Sequence, residues 1–329
     1  MVGAFEATGM RRLAPLLALL SLIAQAQPPK RVWIDTDPSV APGGHEVDDG
    51  IALLQAFASP ELDIRGISIV FGNADLSTAS RIGKEIVRKF GPKSATVHAG
   101  ASSRKDLGKE TAASAALKRE LERGPLTVIA LGPVTNIATV VRNHPMLAAR
   151  IENVIVVAGR RPGQQFNSGP AQKIPFRDLN FELDPEGMQV LLASNVPLIL
   201  TPWEISSQVW LTHDDVTAAA SGNAGMLWLL PAATDWLALW SREFGTTGFN
   251  PFDALAVGYL VDRQDLDCGS FSAKIETGPD DTSLTDAPPQ KPFLVVRPVS
   301  PDKRSVTYCH TAKAGFKVDL VRRLSQGRH

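Results

Sequence analysis

The sequence has little cysteine, no excess of either charge, and no apolar run long enough to cross a bilayer. Its two cysteines, Cys268 and Cys309, are too few for a disulfide scaffold and lack the paired spacing of a zinc site. Lys and Arg number 34, as do Asp and Glu, so the formal net charge is zero. That balance argues against general electrostatic binding to nucleic acid or to an anionic membrane. No internal repeat or low-complexity tract is evident, so a repeat architecture has no support. What is there is 329 residues, 44% of them apolar and 21% charged, which suits a large core and not a disordered chain. The composition describes a soluble globular enzyme or small-molecule binder. The length accommodates either two domains or one large α/β domain.

The first 26 residues read as a separate segment. Arg11 and Arg12 precede an apolar run from Leu13 to Ala24, and Ala24-Gln25-Ala26 follows. A basic start, a short apolar stretch and an A-x-A site make a secretory signal peptide, and the run is well short of the ~20 residues of a membrane span. Cleavage after Ala26 leaves residues 27–329 as the folded domain and places the protein outside the cytoplasm, secreted or periplasmic. There a Cys268–Cys309 disulfide is chemically allowed.

The remaining chain alternates between two periods. Short β-type runs occupy Arg31–Asp37, Ile64–Phe71, Thr96–Ala99, Leu126–Leu131, Val154–Ala158 and Val196–Leu200. Helical periodicity marks Ile51–Ala58, Ser77–Phe90, Thr111–Arg123 and Pro185–Ala193, the last opened by Asp184 as N-cap and Pro185 at the first position. Residues 160–177 and 278–292 read as loops, and the tail reads as strands and then a helix, Phe316–Leu324. Apolar residues 226–240 are interrupted by Pro231 and Asp235. The alternation predicts a single α/β domain with a mostly parallel, Rossmann-like central sheet flanked by helices. In such sheets the active site lies at the C-terminal strand ends.

Those ends carry the chemistry. The first strand runs into Asp35-Thr36-Asp37-Pro38, and Asp48-Asp49 opens the next helix. One Asp before a proline or at a helix start is ordinarily a cap. Four together repel one another unless a hard, oxygen-binding cation such as Ca²⁺ or Mg²⁺ neutralises them. Later strand ends add Phe71-Gly72-Asn73, Leu131-Gly132-Pro133-Val134-Thr135-Asn136-Ile137-Ala138, Asp178-Leu179-Asn180 and Phe252-Asp253.

In this order, over about residues 31–260, the blocks resemble the inosine–uridine preferring nucleoside hydrolases, which cleave the N-glycosidic bond of ribonucleosides. The resemblance implies one Ca²⁺ held by Asp37, Asp49, the Thr135 carbonyl and Asp253. It implies that Asp48 is the general base on a Ca²⁺-bound water. It places Asp35, Asn73, Asp178 and Asn180 at the ribose, with Asp178 standing where Glu is common in the family. The implied partner is a small ribonucleoside, with no nucleic acid and no membrane; a homo-oligomer is compatible.

The chain also departs from the family pattern. Nine residues, Ser39 to Val47, separate Asp-Pro from Asp-Asp, where the family has two. His45 in this insertion, Trp203 and Glu204 after the sixth strand, and Phe252, which replaces a common His, are candidate contacts to the leaving base. Two other readings stay open. Asp35-Thr36-Asp37 after a strand also suits a Mg²⁺-dependent phosphohydrolase of the haloacid-dehalogenase type. Phe252 also suits an exported, non-catalytic nucleoside- or ribose-binding protein.

Overall fold

The computed structural model describes residues 1, 3, 28–300 and 304–327; the signal-peptide reading falls on segments outside them. Six strands follow the expected runs: β1 (Lys30–Thr36), β2 (Leu62–Ile69), β3 (Val97–Ala99), β4 (Leu126–Ala130), β5 (Ile151–Val156) and β6 (Leu198–Leu200). A small ribbon pairs β7 (Leu211–Thr212) with β8 (Gly248–Phe249). The tail adds β9 (Leu266–Pro279), β10 (Gln290–Pro298) and β11 (Ser305–Ala312). The main sheet has the order β10-β9-β11-β6-β5-β4-β1-β2-β3. Strands from β11 through β3 pair in parallel, and β9 pairs antiparallel with both β10 and β11. This is a single α/β domain with a large, mostly parallel sheet, as the sequence predicts.

Alternation along β1 sets the two layers. Val32 and Ile34 face one apolar core beneath the helices Asp48–Phe57, Leu76–Phe90 and Ala224–Phe244. Trp33 faces the other, beneath Ala112–Arg123, Thr135–Asn143 and Pro185–Ala193. Strand order reverses at β1, because β2 and β3 lie on one side of it and β4 to β6 on the other. Such a switch point opens a crevice at the C-terminal strand ends, and Asp35, Asp37 and Leu131 stand there.

One sequence expectation changes. Residues 278–292 are not all loop, since β9 runs to Pro279 and β10 begins at Gln290. Residues 226–240 form one continuous helix, Ala224–Phe244, through Pro231. Pro231 is exposed, and so is Leu227, whose carbonyl loses its helical donor to the proline. An exposed carbonyl is open to solvent, so the helix tolerates the proline there. No helix among the described residues is long and apolar enough to cross a membrane.

The two cysteines face each other across β9 and β11 and are bonded. The closing helix, Ala314–Ser325, is tied to the early chain by Arg323. It donates to Asp262 at 3.0 Å and to Glu61 at 2.8 Å, and Asp262 is buried. Removing the cation strands a buried carboxylate. Arg323→Ala is therefore expected to lower unfolding stability by about 3–5 kcal/mol, read from urea denaturation; a loss under ~1 kcal/mol would show that water replaces the guanidinium.

Candidate active site

The site begins with acids that sit at helix starts and do not cap them. The helix Asp48–Phe57 has Val47 at its N-cap, with no side-chain cap bond. Asp253 and Asp178 precede helices at Ala254 and Leu179, again without capping them. Asp184, by contrast, caps as expected, accepting from Gly187 N at 2.8 Å. The uncommitted carboxylates are thus free to face the crevice.

Asp37 and Asp49 are fully buried and share a framework of donors. Asp49 Oδ1 accepts from the Thr36 hydroxyl and from Asp37 N at 3.2 Å, and its Oδ2 from Asn73 Nδ2 at 3.3 Å. Asp37 Oδ2 accepts from Asn73 N at 2.7 Å, while its Oδ1 has no protein partner. The backbone presses close to Asp37 from two sides. A Cβ on Gly72 would lie 1.7 Å from its Oδ2, and one on Gly132 would lie 2.8 Å from its Oδ1. Asp35, also fully buried, accepts from the Ser68 hydroxyl and from Asn136 Nδ2 at 2.9 Å. Thr135 is buried, its hydroxyl donating to Asp184 Oδ2 at 2.5 Å.

In front of these acids lies a cavity. Asp48, Asn73, Asp178, Asn180, Trp203, Phe252 and Asp253 line it, as the sequence suggests, and so does Glu46. Asn180 Nδ2 is spent on the Leu131 and Val157 carbonyls at 2.7 and 3.3 Å, and Asp178 Oδ2 accepts from Gly159 N at 2.9 Å. Aromatic rings also line the cavity. Trp203 stacks on Phe166 with ring centroids 5.1 Å apart, and Phe176 packs against Trp240 and Phe252. The cavity lining therefore combines carboxylates with aromatic rings.

Six sequence-assigned residues are not in the lining: buried Asp37, Asp49 and Thr135, and three assigned substrate contacts. Asp35 lies behind it, held by Ser68 and Asn136. His45 is exposed. Glu204 points away, gripped by Arg161 Nε at 2.8 Å and by the Tyr308 hydroxyl at 2.7 Å. The missed residue is Glu46. It lies two positions before Asp48, and the density of acids there was the available signal.

Burial and crowding govern the electrostatics. Burial pushes Asp35 up to about 7, and Asp48 and Asp178 up to about 6. Asp37, Glu46, Asp49 and Asp253 rise well above the ordinary carboxylate range, first from burial and then from neighbouring negative charge.

The family profile described as inosine-uridine preferring nucleoside hydrolase matches residues 32–320. The chain belongs to this family. It is 26% identical over 261 residues to the pyrimidine-specific ribonucleoside hydrolase RihB of Escherichia coli O157:H7, covering 70% of this chain and 78% of that protein. A plant nucleoside hydrolase superposes with a TM-score of 0.71 at 20% identity, over 91% of this chain and 99% of that one. The purine-preferring ribonucleoside hydrolase of Gardnerella vaginalis gives 0.70 at 18%, over 90% and 98%. As a nucleoside hydrolase, the protein is an enzyme acting on N-glycosyl bonds, and the phosphohydrolase reading is not favoured.

The raised acids fix a pH dependence. A carboxyl that titrates higher when folded holds its proton in the native state and loses it more readily when unfolded. Stability then falls as pH rises from the unfolded value toward the folded one. In chelator, the protein should lose stability between about pH 4 and about pH 7. Asp35→Asn should flatten the upper part of that slope, and thermal melts across the range would show it; an unchanged slope counts against the assignment.

Proposed function

We propose that the protein hydrolyses the N-glycosidic bond of ribonucleosides to ribose and free base, using a Ca²⁺ site at the end of β1. The observation that carries this reading is one cavity lined by both carboxylates and aromatic rings. The carboxylates suit a sugar and the rings suit a flat base. Breaking the bond builds positive charge near the anomeric carbon, and carboxylates beside it stabilise that charge.

A cation fits among these acids on three grounds. The available donors are all oxygen, as a hard ion requires. Buried Asp37 Oδ1 and Glu46 Oε2 have no protein partner. Several buried carboxylates in one place are costly without a counter-charge. Asp37, Asp49, the Thr135 carbonyl and Asp253 are assigned to hold the ion. When bound, Ca²⁺ supplies a fixed charge that orients sugar hydroxyls and acidifies water.

The chain's own groups then divide the work. Asp48 faces the cavity and accepts the proton of the attacking water. Asn73, Asp178 and Asn180 accept from ribose hydroxyls through their side-chain oxygens, the amide nitrogens of the two Asn residues being engaged within the protein. Trp203, stacked on Phe166, offers its face to the base. Phe252 has no proton to give, so the base departs without an acid at that position. That same residue favours the second reading, a binder that retains nucleosides without cleaving them.

The deciding assay is chromatography of base release from a panel of ribonucleosides. We expect turnover that chelator abolishes and Ca²⁺ restores, and a fall in kcat of roughly 10²- to 10⁴-fold in Asp48→Asn. Tight binding without release would move the protein to the binder class, and full activity in Asp48→Asn would remove that residue from the mechanism.

We also propose that the chain is exported after cleavage behind Ala26. The support is the order of basic, apolar and small residues at positions 11–26. Intact mass of the protein recovered from outside the cytoplasm should begin at Gln27. Recovery of the full-length chain only from the cytoplasm would refute export.

A further inference from the structure

Glu46 is the cavity acid that the family motif does not assign. It belongs to the loop Ser39–Val47, and that loop is fixed at both its base and its tip. Glu46 Oε1 accepts from Ser39 N at 2.6 Å, closing the loop on itself. At the tip, Gly43 N donates to Asp235 Oδ2 at 2.8 Å, on the helix Ala224–Phe244. The second carboxylate oxygen, Oε2, is buried and has no partner.

Carboxylate oxygens of Glu46, Asp48 and Asp49 all lie within 4.8 Å of one another, the spacing at which one ion reaches all three. An independent feature points to the same place. Asp37 is wholly buried, its Oδ2 is used by Asn73, and its Oδ1 is left without a partner. Asp37 is joined to Asp49 through its backbone N, so two unpartnered carboxylate oxygens accompany a group of which Glu46 and Asp48 line the cavity.

We propose that Glu46 is a further oxygen ligand of the site's cation, delivered by a surface loop rather than by a strand end. The inference rests on the reading that the site binds Ca²⁺. A Ca²⁺ ion takes six to eight oxygens, so the four protein groups already assigned leave room for another carboxylate. Glu46 arrives pre-organised, because the Ser39 bond holds one oxygen and leaves the other free. The loop tip rests on the helix that carries Trp236 and Trp240, both of which line the cavity. One loop thus joins the cation to the aromatic wall.

The experiment uses the full chain, with Tb³⁺ standing in for Ca²⁺. Luminescence lifetimes in H₂O and D₂O count the waters left on the ion. Glu46→Ala should raise that count by about one, since a vacated oxygen position is filled by solvent. Calorimetry should show Ca²⁺ affinity lowered by at least roughly 10-fold, since loss of even an outer-shell partner commonly costs about 10- to 100-fold. Glu46→Gln keeps the side chain's shape and its bond from Ser39, so it guards against misfolding; it should weaken Ca²⁺ measurably through loss of charge alone. His45→Ala, one residue away and exposed, should change neither readout. Unaltered hydration and affinity in both Glu46 variants would overturn the assignment while leaving the Ca²⁺ site standing. Failure of the unmodified protein to bind Ca²⁺ would overturn both.

Discussion

Mutual repulsion among buried carboxylates at the end of β1 is the constraint on which the rest of the structure turns. Asp37, Asp49 and Asp253 are almost wholly withdrawn from water, with Glu46 and Asp48 beside them. Left alone, such a group would protonate, separate or unfold the segments that carry it. The fold prevents separation. Asp49 is locked by Thr36 and by the backbone of Asp37, and Asn73 bridges Asp37 and Asp49. The glycines at 72 and 132 allow the backbone to come so close that no side chain would fit. Stability has been given up locally to keep the acids together, which is the usual condition of a site built for charge.

Support for this arrangement runs deep into the sheet. Trp33 Nε1 donates to the Ser68 hydroxyl at 2.7 Å, and that hydroxyl donates to Asp35. Asn136 ties Asp35 to the Ile69 carbonyl, while its own oxygen accepts from Ala101 N at 2.8 Å. Asp35 therefore links β1, β2 and the start of the helix Thr135–Asn143 from behind the cavity. Its side chain fixes the frame in which Asp37 is presented, and its distance from the cavity wall follows from that duty.

Much of this was legible in the sequence because the signals were local. Asp184-Pro185 marked its helix to the residue, and the acids after β1 marked the crevice. The antiparallel extension was harder to see. Along β9 buried and exposed residues do not alternate cleanly, since the strand is covered on some positions and open on others. The helix through Pro231 keeps the proline on its exposed side, where a missing backbone bond costs least. Glu46 was overlooked in favour of His45, a richer functional group by type. Adjacent residues in the closed loop point oppositely, and Ser39 N draws Glu46 inward while His45 remains in solvent. No residue-type preference encodes that choice.

The tie between Arg323 and the early chain bears on how the protein is made. β1, the first strand, sits in the interior of the sheet, and its partner β4 follows only after β2 and β3 have been synthesised. The helix Asp48–Phe57 is covered in part by the closing helix, whose Arg323 reaches back to Glu61. Until the helix Ala314–Ser325 is made, part of the apolar surface of the helix that bears Asp48 and Asp49 is uncovered. The frame of the site therefore depends on a segment distant in the chain, 262 residues away in the Glu61–Arg323 pair.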